Sequence, residues 1–581
     1  MITNSDIIDY FNQEADVEFK EHEALMDLPI EERVKKRKAI VGLKWDHSFE
    51  KQTSDGVYIL RKLIVTQNLA DFKEGEYLVL HEENTVPGMR CCLFEFDSDD
   101  NIIVSIYKAN VDNSILSSEK NLILDKDLVD LRKQVYEKFY YGLDSSRSYW
   151  QKHLVNTRKA STLEDKQKNE AELDDTLKKF KLSVTDKQRE SIVNSMSAKD
   201  IYLIQGPPGT GKSFTLALII LEELLYFKHK VAVVGPNHMA INNALMQVLK
   251  LCPDYATSVV KIGQSYNTFG IAPVCNGKGE MLEMNKVERM TDLDGSVTPS
   301  LYGLTPHAMY TSRARGLEYD TLVIDEAGQV TIPLALMAMK DGKKCIMAGD
   351  HKQLPPIISS DKVSVELKCS IFQKVMNPDN STMLDISFRM RKPICDFVSK
   401  LFYDGKLNAS IEQSGDKVIC SDKVLSFDAP VVVKHVEDEG LQTSDKEAEK
   451  IIETIVGYKK KGLPLTDVCV LSPFRAQAAN IRRHIKKCSE LTDEDKKSVM
   501  VDTIDKMQGQ EREVVILSMV AGDMDYMNEV GDFLYNPNKL NVAFSRAKSK
   551  LIIVGNVNSL RRLDAEKYPH VKGMMEYAEV L

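Results

Sequence analysis

The chain has 581 residues, 43% of them hydrophobic and 28% charged, which fits a folded globular protein and excludes wholesale disorder. Its 77 Lys and Arg against 86 Asp and Glu leave a net charge of −9. That excludes a histone-like polycation but not a basic groove on an acidic body. At roughly 100–200 residues per domain, the length holds about three to five domains.

The N-terminus, MITNSDIIDYF, is polar and acidic, unlike a signal peptide. The most apolar stretch, Phe214 to Phe227, contains Glu222 and Glu223 and is too short to span a bilayer. A cytoplasmic protein with no membrane partner is expected. The ten Cys are scattered and no C-x-x-C occurs, so neither zinc nor an iron–sulfur cluster is expected.

Residues 1–45 are charged and helix-permissive, with a basic run at Arg33, Lys35, Lys36, Arg37 and Lys38. That run reads as a solvated helix face or as a phosphate-contacting arm. From 46 to 118, short alternating segments separated by turn residues predict a small antiparallel β-barrel. Residues 119–180 turn helical again, so two helical segments form a stalk carrying the barrel. From 181 on, apolar strands alternate with helices. IYLIQ (201–205), VAVVG (231–235), TLVID (321–325) and CIMAG (345–349) form one set. MLDIS (383–387), VCVLS (468–472), VVILS (514–518) and LIIVG (551–555) form a second. Two α/β domains with parallel sheets are predicted, over 181–365 and 366–581. Ser444-Asp445-Lys446-Glu447 predicts a capping box and a helix start.

Gly206-Pro-Pro-Gly209-Thr210-Gly211-Lys212-Ser213 follows a strand and opens a helix, the setting a phosphate loop requires. Its glycines let backbone N–H groups approach phosphate oxygens, and the helix N-terminus adds a favourable dipole. Lys212 is placed to reach the β- and γ-phosphates and Ser213 to ligate Mg²⁺. Asp325 and Glu326 end an apolar strand, where ligands of parallel sheets bind. There Asp325 can hold Mg²⁺ and Glu326 can deprotonate water. Gln353, in GDHKQLPP after another strand, can sense the γ-phosphate.

In this order, GPPGTGKS, VIDEAGQ and GDHKQLPP resemble the superfamily 1 helicases. More narrowly they resemble the 5′→3′ group typified by the nonsense-mediated-decay helicase and the immunoglobulin-mu-binding helicase. SFRM (387–390), SPFRAQ (472–477), VDTIDKMQGQE (501–511) and LNVAFSRAK (540–548) resemble the group's later motifs. The resemblance covers residues 181–560 by motif and 1–180 by architecture.

It implies two RecA-like P-loop domains, a stalked barrel, and ATP hydrolysis with Mg²⁺ coupled to 5′→3′ movement on single-stranded nucleic acid. It implies that Gln188 reads adenine, Phe474 stacks on the base and Glu511 lies near the ribose. Arg389 and Arg546 would face the γ-phosphate. Pro236, Asn237, His238 and Thr305 would contact nucleic acid. The sequence departs from the family at these last positions and at Ser387, where the family has Gln. A monomer is expected. A nucleotide-gated binding clamp that hydrolyses ATP without unwinding carries the same motifs, and the sequence leaves DNA or RNA open.

Overall fold

The computed structural model describes residues 2–52, 57–65, 72, 76–82, 88–97, 101–128, 162–263, 268, 270–339, 343–410, 418–507 and 509–581. Among them, no helix is long and apolar enough to cross a membrane.

The chain opens on a helix over Asn4–Met26, started by a reciprocal cap between Thr3 and Asp6. Its Ile7, Tyr10 and Phe11 are buried in the core of the first parallel sheet, together with Ile332 and Ala335. The Glu14 carboxylate accepts the N–H groups of Ser359 and Ser360 at 3.0 and 2.7 Å. The first helix is thus fastened to a domain much later in sequence. The next helix, Ile30–Lys35, carries the start of the basic run. Arg33 there is buried and pairs with Asp125 at 3.1 Å, and Asp125 also bonds His81 at 2.8 Å. This member of the run is neither a solvated face nor a phosphate arm. The helical turn points it inward onto a buried carboxylate.

Six antiparallel strands then close a barrel. They are β1 (Ala39–Gln52), β2 (Tyr58–Ile64), β3 (Tyr77–Glu82), β4 (Met89–Phe96), β5 (Ile102–Tyr107) and β6 (Leu122–Lys126). Their order around the barrel is β1-β2-β5-β4-β3-β6. Alternation fills the interior with Leu43, Leu63, Leu78, Leu93, Val104 and Leu122. Register shifts between Asp46 and Glu50 and between Leu93 and Glu95 bend the strands toward closure. The strands run past the expected segment 46–118 at both ends. AIVGL and LILDK pair with each other, and flanking charge masks their alternation in the sequence. Of the expected stalk segment 119–180, residues 129–161 lie outside the described residues. Its far end is a helix over Lys166–Phe180, whose Leu173 and Leu177 enter the first domain's core beside Ile192 and Met196.

The first sheet is fully parallel and eight-stranded. Its strands are β7 (Ile201–Gln205), β8 (Val231–Val234), β9 (Val259–Ile262), β12 (Asn285–Val287), β13 (Leu301–Gly303), β14 (Thr321–Ile324), β15 (Lys344–Gly349) and β16 (Ser381–Met383). A two-stranded β10 (Val274–Cys275) and β11 (Met281–Leu282) decorates it. The order is β12-β9-β13-β8-β14-β15-β7-β16. The inner strands are buried on both faces, so they read as unbroken apolar runs, as in VAVV and IYLIQ.

This sheet moves the expected boundary at 365/366. Leu367, Ile371, Phe372 and Val375 pack in the first core, and β16 pairs with β7. MLDIS therefore does not form one strand. Met383 ends β16, while Ile386–Ser387 forms a separate β17 paired with β18 (Asn408–Ala409). The sequence shows one apolar run there, and the two different pairing partners, β7 and β18, are what divide it.

The second sheet is also parallel, with β19 (Val431–His435), β20 (Val468–Ser472), β21 (Met500–Thr503), β22 (Arg512–Ser518), β23 (Ala547–Gly555) and β24 (Glu579–Val580). Their order is β21-β20-β22-β23-β19-β24. The helix Asp445–Lys460 starts at Ser444, whose hydroxyl accepts the Glu447 N–H at 3.0 Å. The reciprocal half of the expected box is missing. Gln477 accepts the Ser444 N–H instead, and the Glu447 carboxylate takes the Ser518 hydroxyl and the Val520 N–H. Burial pushes the Glu447 carboxyl up to about 8.

Candidate nucleotide site

The strand β7 delivers the loop 206–211 to the N-terminus of the helix Lys212–Leu225. Gly209 and Gly211 both take φ of +76°, open to glycine at no steric cost. Gly209 is also required by contact. A Cβ there would lie 2.4 Å from the Arg389 Cβ and 2.6 Å from the Ser387 Oγ. The Phe388 N–H donates to the Gly209 carbonyl at 2.8 Å, and the Ser387 hydroxyl donates to the Pro208 carbonyl at 2.9 Å. The SFR segment therefore lies directly on the phosphate loop. Ser387, shorter than the family glutamine, uses its hydroxyl to hold that loop.

The end of β14 presents two carboxylates to Lys212. Its ammonium is 2.7 Å from Asp325 Oδ1 and 2.7 Å from Glu326 Oε1. Burial works against the Lys212 charge, but the two carboxylates outweigh it and hold the ammonium well above the usual lysine range. Burial likewise pushes the Asp325 carboxyl up, opposed by Lys212. Glu326 adopts φ of +51°, a conformation that costs a non-glycine residue of order 1 kcal/mol or more and that clusters at functional sites. Next to it, Gly328 packs on the backbone of Asp350, where a Cβ would lie 2.8 Å from the carbonyl oxygen. The acidic turn and the GDHKQ loop thus form one rigid floor. Asp325 and Glu326 already hold a cation, the Lys212 ammonium, and the half-buried Ser213 beside Lys212 in sequence adds a third hard oxygen donor. This set fits Mg²⁺.

The second domain closes the site. Arg546 is 2% exposed, and its guanidinium donates to the carbonyls of Val542 (3.0 Å) and Gln510 (3.2 Å) and to Gln353 Oε1 (3.3 Å). Among the described residues no carboxylate lies within ion-pair distance of it, and burial, then Arg389, pulls its pKa down to about 9. Arg389 pairs with Glu511 at 2.5 Å, and Lys548 reaches the same carboxylate at 2.8 Å. Burial alone would raise Glu511, yet Lys548 and Arg389 bring it below the usual range.

A buried network that sequence reasoning missed joins the two domains behind Gln353. The Tyr403 hydroxyl donates to Asp350 Oδ2 at 2.6 Å and accepts from the Asn541 amide at 2.8 Å. Asn541 also donates to the Lys352 carbonyl (2.7 Å), and Asn538 to the His351 carbonyl (3.0 Å). Asp350 further accepts from Gln205 and Gln353. Only the Asp in G-D-H-K-Q hinted at it, since Tyr403 ends the helix Lys392–Phe402 and Asn541 lies in the helix Pro537–Phe544, both far off in sequence. Tyr403→Phe should remove the bond to Asp350 and leave two buried groups short of a partner. The expected cost is about 1–3 kcal/mol of stability, read as a lower urea midpoint.

On the base side, Gln188 is already engaged. Its amide donates to the Thr210 carbonyl at 3.1 Å and its oxygen accepts the Thr185 N–H at 3.0 Å, so it braces the phosphate loop. Phe474 caps the helix Arg475–Lys487 and sits among aromatics, 5.7 Å from Phe533 and 6.4 Å from Tyr526. Pro236, Asn237, His238 and Thr305 gather elsewhere, past the ends of the neighbouring strands β8 and β13. Asn237 caps the helix His238–Leu251 through the Ala240 N–H, and Thr305 accepts the Ala308 N–H at 3.4 Å. The sheet order separates the two groups. The candidate nucleotide site follows β7, β15 and β14, and these four residues follow the strands beyond.

Two AAA domain family models match the chain, one over residues 183–279 and 305–361 and the other over 367–558. Together they take in the phosphate loop, the acidic turn and both arginines. The chain belongs to the superfamily 1 helicases. Among curated members of this ATP-hydrolysing family, it is 26% identical over 477 residues to an uncharacterized ATP-dependent helicase of Methanocaldococcus jannaschii, covering 65% of this chain and 69% of that one. It is 26% identical over 447 residues to the DNA polymerase alpha-associated DNA helicase A of Schizosaccharomyces pombe, covering 66% and 65%. It is 26% identical over 411 residues to a DNA replication ATP-dependent helicase/nuclease of Xenopus laevis. That match covers 65% of this chain but only 38% of the helicase/nuclease.

Proposed function

We propose that this superfamily 1 helicase is a 5′→3′ translocase on single-stranded nucleic acid, driven by ATP hydrolysis between two RecA-like domains. The first would extend to about residue 384 and the second would follow, with the barrel and its flanking helices as an accessory. One observation carries most of the weight. Arg389 and Arg546, from the second domain, meet the phosphate loop and Gln353 of the first in a single cleft.

In the resting site Lys212 neutralises Asp325 and Glu326. An arriving triphosphate offers that ammonium a stronger partner, and the two carboxylates are released for chemistry. Ser213 and Asp325 would hold Mg²⁺, which neutralises charge on the phosphates when bound. Glu326 orients a water and takes its proton as the water oxygen attacks the γ-phosphorus and the bond to the β–γ bridging oxygen breaks. Arg389 and Arg546 steady the charge that develops, and Gln353 reports the γ-phosphate to the second domain. Gln188 and Phe474 hold the adenine, and Glu511 lies beside the ribose. Loss of the γ-phosphate loosens the cleft, and the strand is advanced on Pro236, Asn237, His238 and Thr305.

The test is hydrolysis and strand displacement on tailed duplexes. Single-stranded DNA or RNA should stimulate turnover, and a duplex with a 5′ tail should open while one with a 3′ tail should not. Stimulated hydrolysis without displacement of either duplex would favour a nucleotide-gated clamp.

A further inference from the structure

Lys261, on β9, is 2% exposed, and it lines a cleft of about 1090 Å³ between the first sheet and the barrel. It contacts His238 Nδ1 at 3.0 Å and the Ile262 carbonyl at 3.0 Å. Among the described residues no carboxylate comes within ion-pair distance of it. An ammonium has three donors, so these two partners leave one for the cleft. Burial, and then the charge of Arg313, pull Lys261 down to about 7. Burial, then Lys261 and Arg313, pull His238 to about 3, so its ring is neutral and can accept from Lys261. A buried cation without a counter-charge is costly, and an anion in the cleft relieves that cost.

Gly263 keeps the approach open. A Cβ there would stand 3.4 Å from the Lys261 ammonium and 3.3 Å from the His238 ring. The opposite wall is aromatic. Tyr58 of β2 and Tyr107 of β5 place their ring centroids 5.7 Å apart at 54°, and Tyr107 is 44% exposed. A buried ammonium and an aromatic pair lining one cleft match the alternation of phosphate and base along a single strand.

We propose that Lys261, oriented by His238, seats one phosphodiester of a single strand threading between barrel and first sheet, with a base against Tyr58 and Tyr107. This rests on the reading of the protein as a nucleic-acid translocase, and it makes the barrel a wall of the track.

The test uses the full chain and a labelled oligothymidylate, without nucleotide, titrated by anisotropy across salt at pH 6.5 and 8.5. The other charged groups lining this cleft are Lys286 on β12, Glu288 and Arg289 just after it, and Asp292; Arg313 pairs with Glu288 at 3.4 Å. Carboxyls, lysines, arginines and tyrosines ordinarily titrate outside that pH window. The Lys261 charge is present below about pH 7 and lost above it. Wild-type affinity should therefore fall roughly tenfold or more from pH 6.5 to 8.5.

Lys261→Met should bind weakly at both pH values, with a log–log salt slope shallower by about 0.7. Lys261→Arg should bind at pH 8.5 as it does at 6.5, because its charge does not titrate there. Tyr107→Ala should weaken binding with the salt slope unchanged. Melting curves check the fold of each variant. A folded Lys261→Met with wild-type affinity and slope would overturn the seat while leaving the translocase reading intact. Equal affinity for thymidine monophosphate and the oligomer, lost alike in Lys261→Met, would make it a site for free phosphate monoesters and overturn the strand assignment. No binding of the oligomer by wild type would overturn the translocase reading itself, and the seat with it.

Discussion

Arg546→Ala is expected to cut nucleic-acid-stimulated hydrolysis by roughly 10³–10⁵ while ATP binding falls only modestly, as for an arginine finger supplied across a cleft. Its guanidinium holds no carboxylate among the described residues. It rests instead on two backbone carbonyls of its own domain and reaches Gln353 of the other. A structural ion pair would show the opposite pattern, with lost thermal stability and preserved turnover per folded molecule. Arg546→Lys should not recover activity, since a point charge cannot keep both carbonyl contacts and still reach Gln353. Melting temperature, nucleotide affinity and stimulated turnover measured on the same variants separate the two cases.

Lys212→Ala should bring hydrolysis to background. The substitution removes the only side-chain cation of the phosphate loop and leaves Asp325 and Glu326 facing each other without it. Asp325, already pushed up by burial, would then take a proton more readily, and its use in holding Mg²⁺ would decline. The loss should therefore appear in turnover and in nucleotide affinity together. Near-normal turnover in a folded Lys212→Ala protein would remove the basis for assigning chemistry to this loop.

The candidate nucleotide site could be read as a cluster because each of its groups sits at a fixed offset within a short motif. Gly209, Lys212, Asp325 and Glu326 lie at the ends of strands whose apolar runs announce them. The proposed track was less legible, because its parts are single residues in separate strands. Nothing in VVKIG marks Lys261 as buried without a carboxylate, and only the neighbouring position of β9, β13 and β8 brings it to His238. Tyr403 and Asn541 were invisible for the same reason. Two boundaries also lay outside what local pattern can give. Charge around AIVGL hid a barrel strand, and MLDIS hid a break that pairing with β7 decides.

The path of the chain from β16 to β17 carries a consequence of its own. The first sheet ends at Met383, beside β7, and within six residues the backbone has crossed to Arg389. On the way its Phe388 N–H docks on the Gly209 carbonyl. The crossover between the two halves of the enzyme is therefore bolted to the nucleotide loop itself. Any shift at Gly209 is therefore met directly by Ser387 and Arg389, the residues packed against it. That contact is intolerant. Any side chain at residue 209 would wedge Ser387 and Arg389 away from the loop, so a defect there would strike the junction of the two sheets as well as the loop.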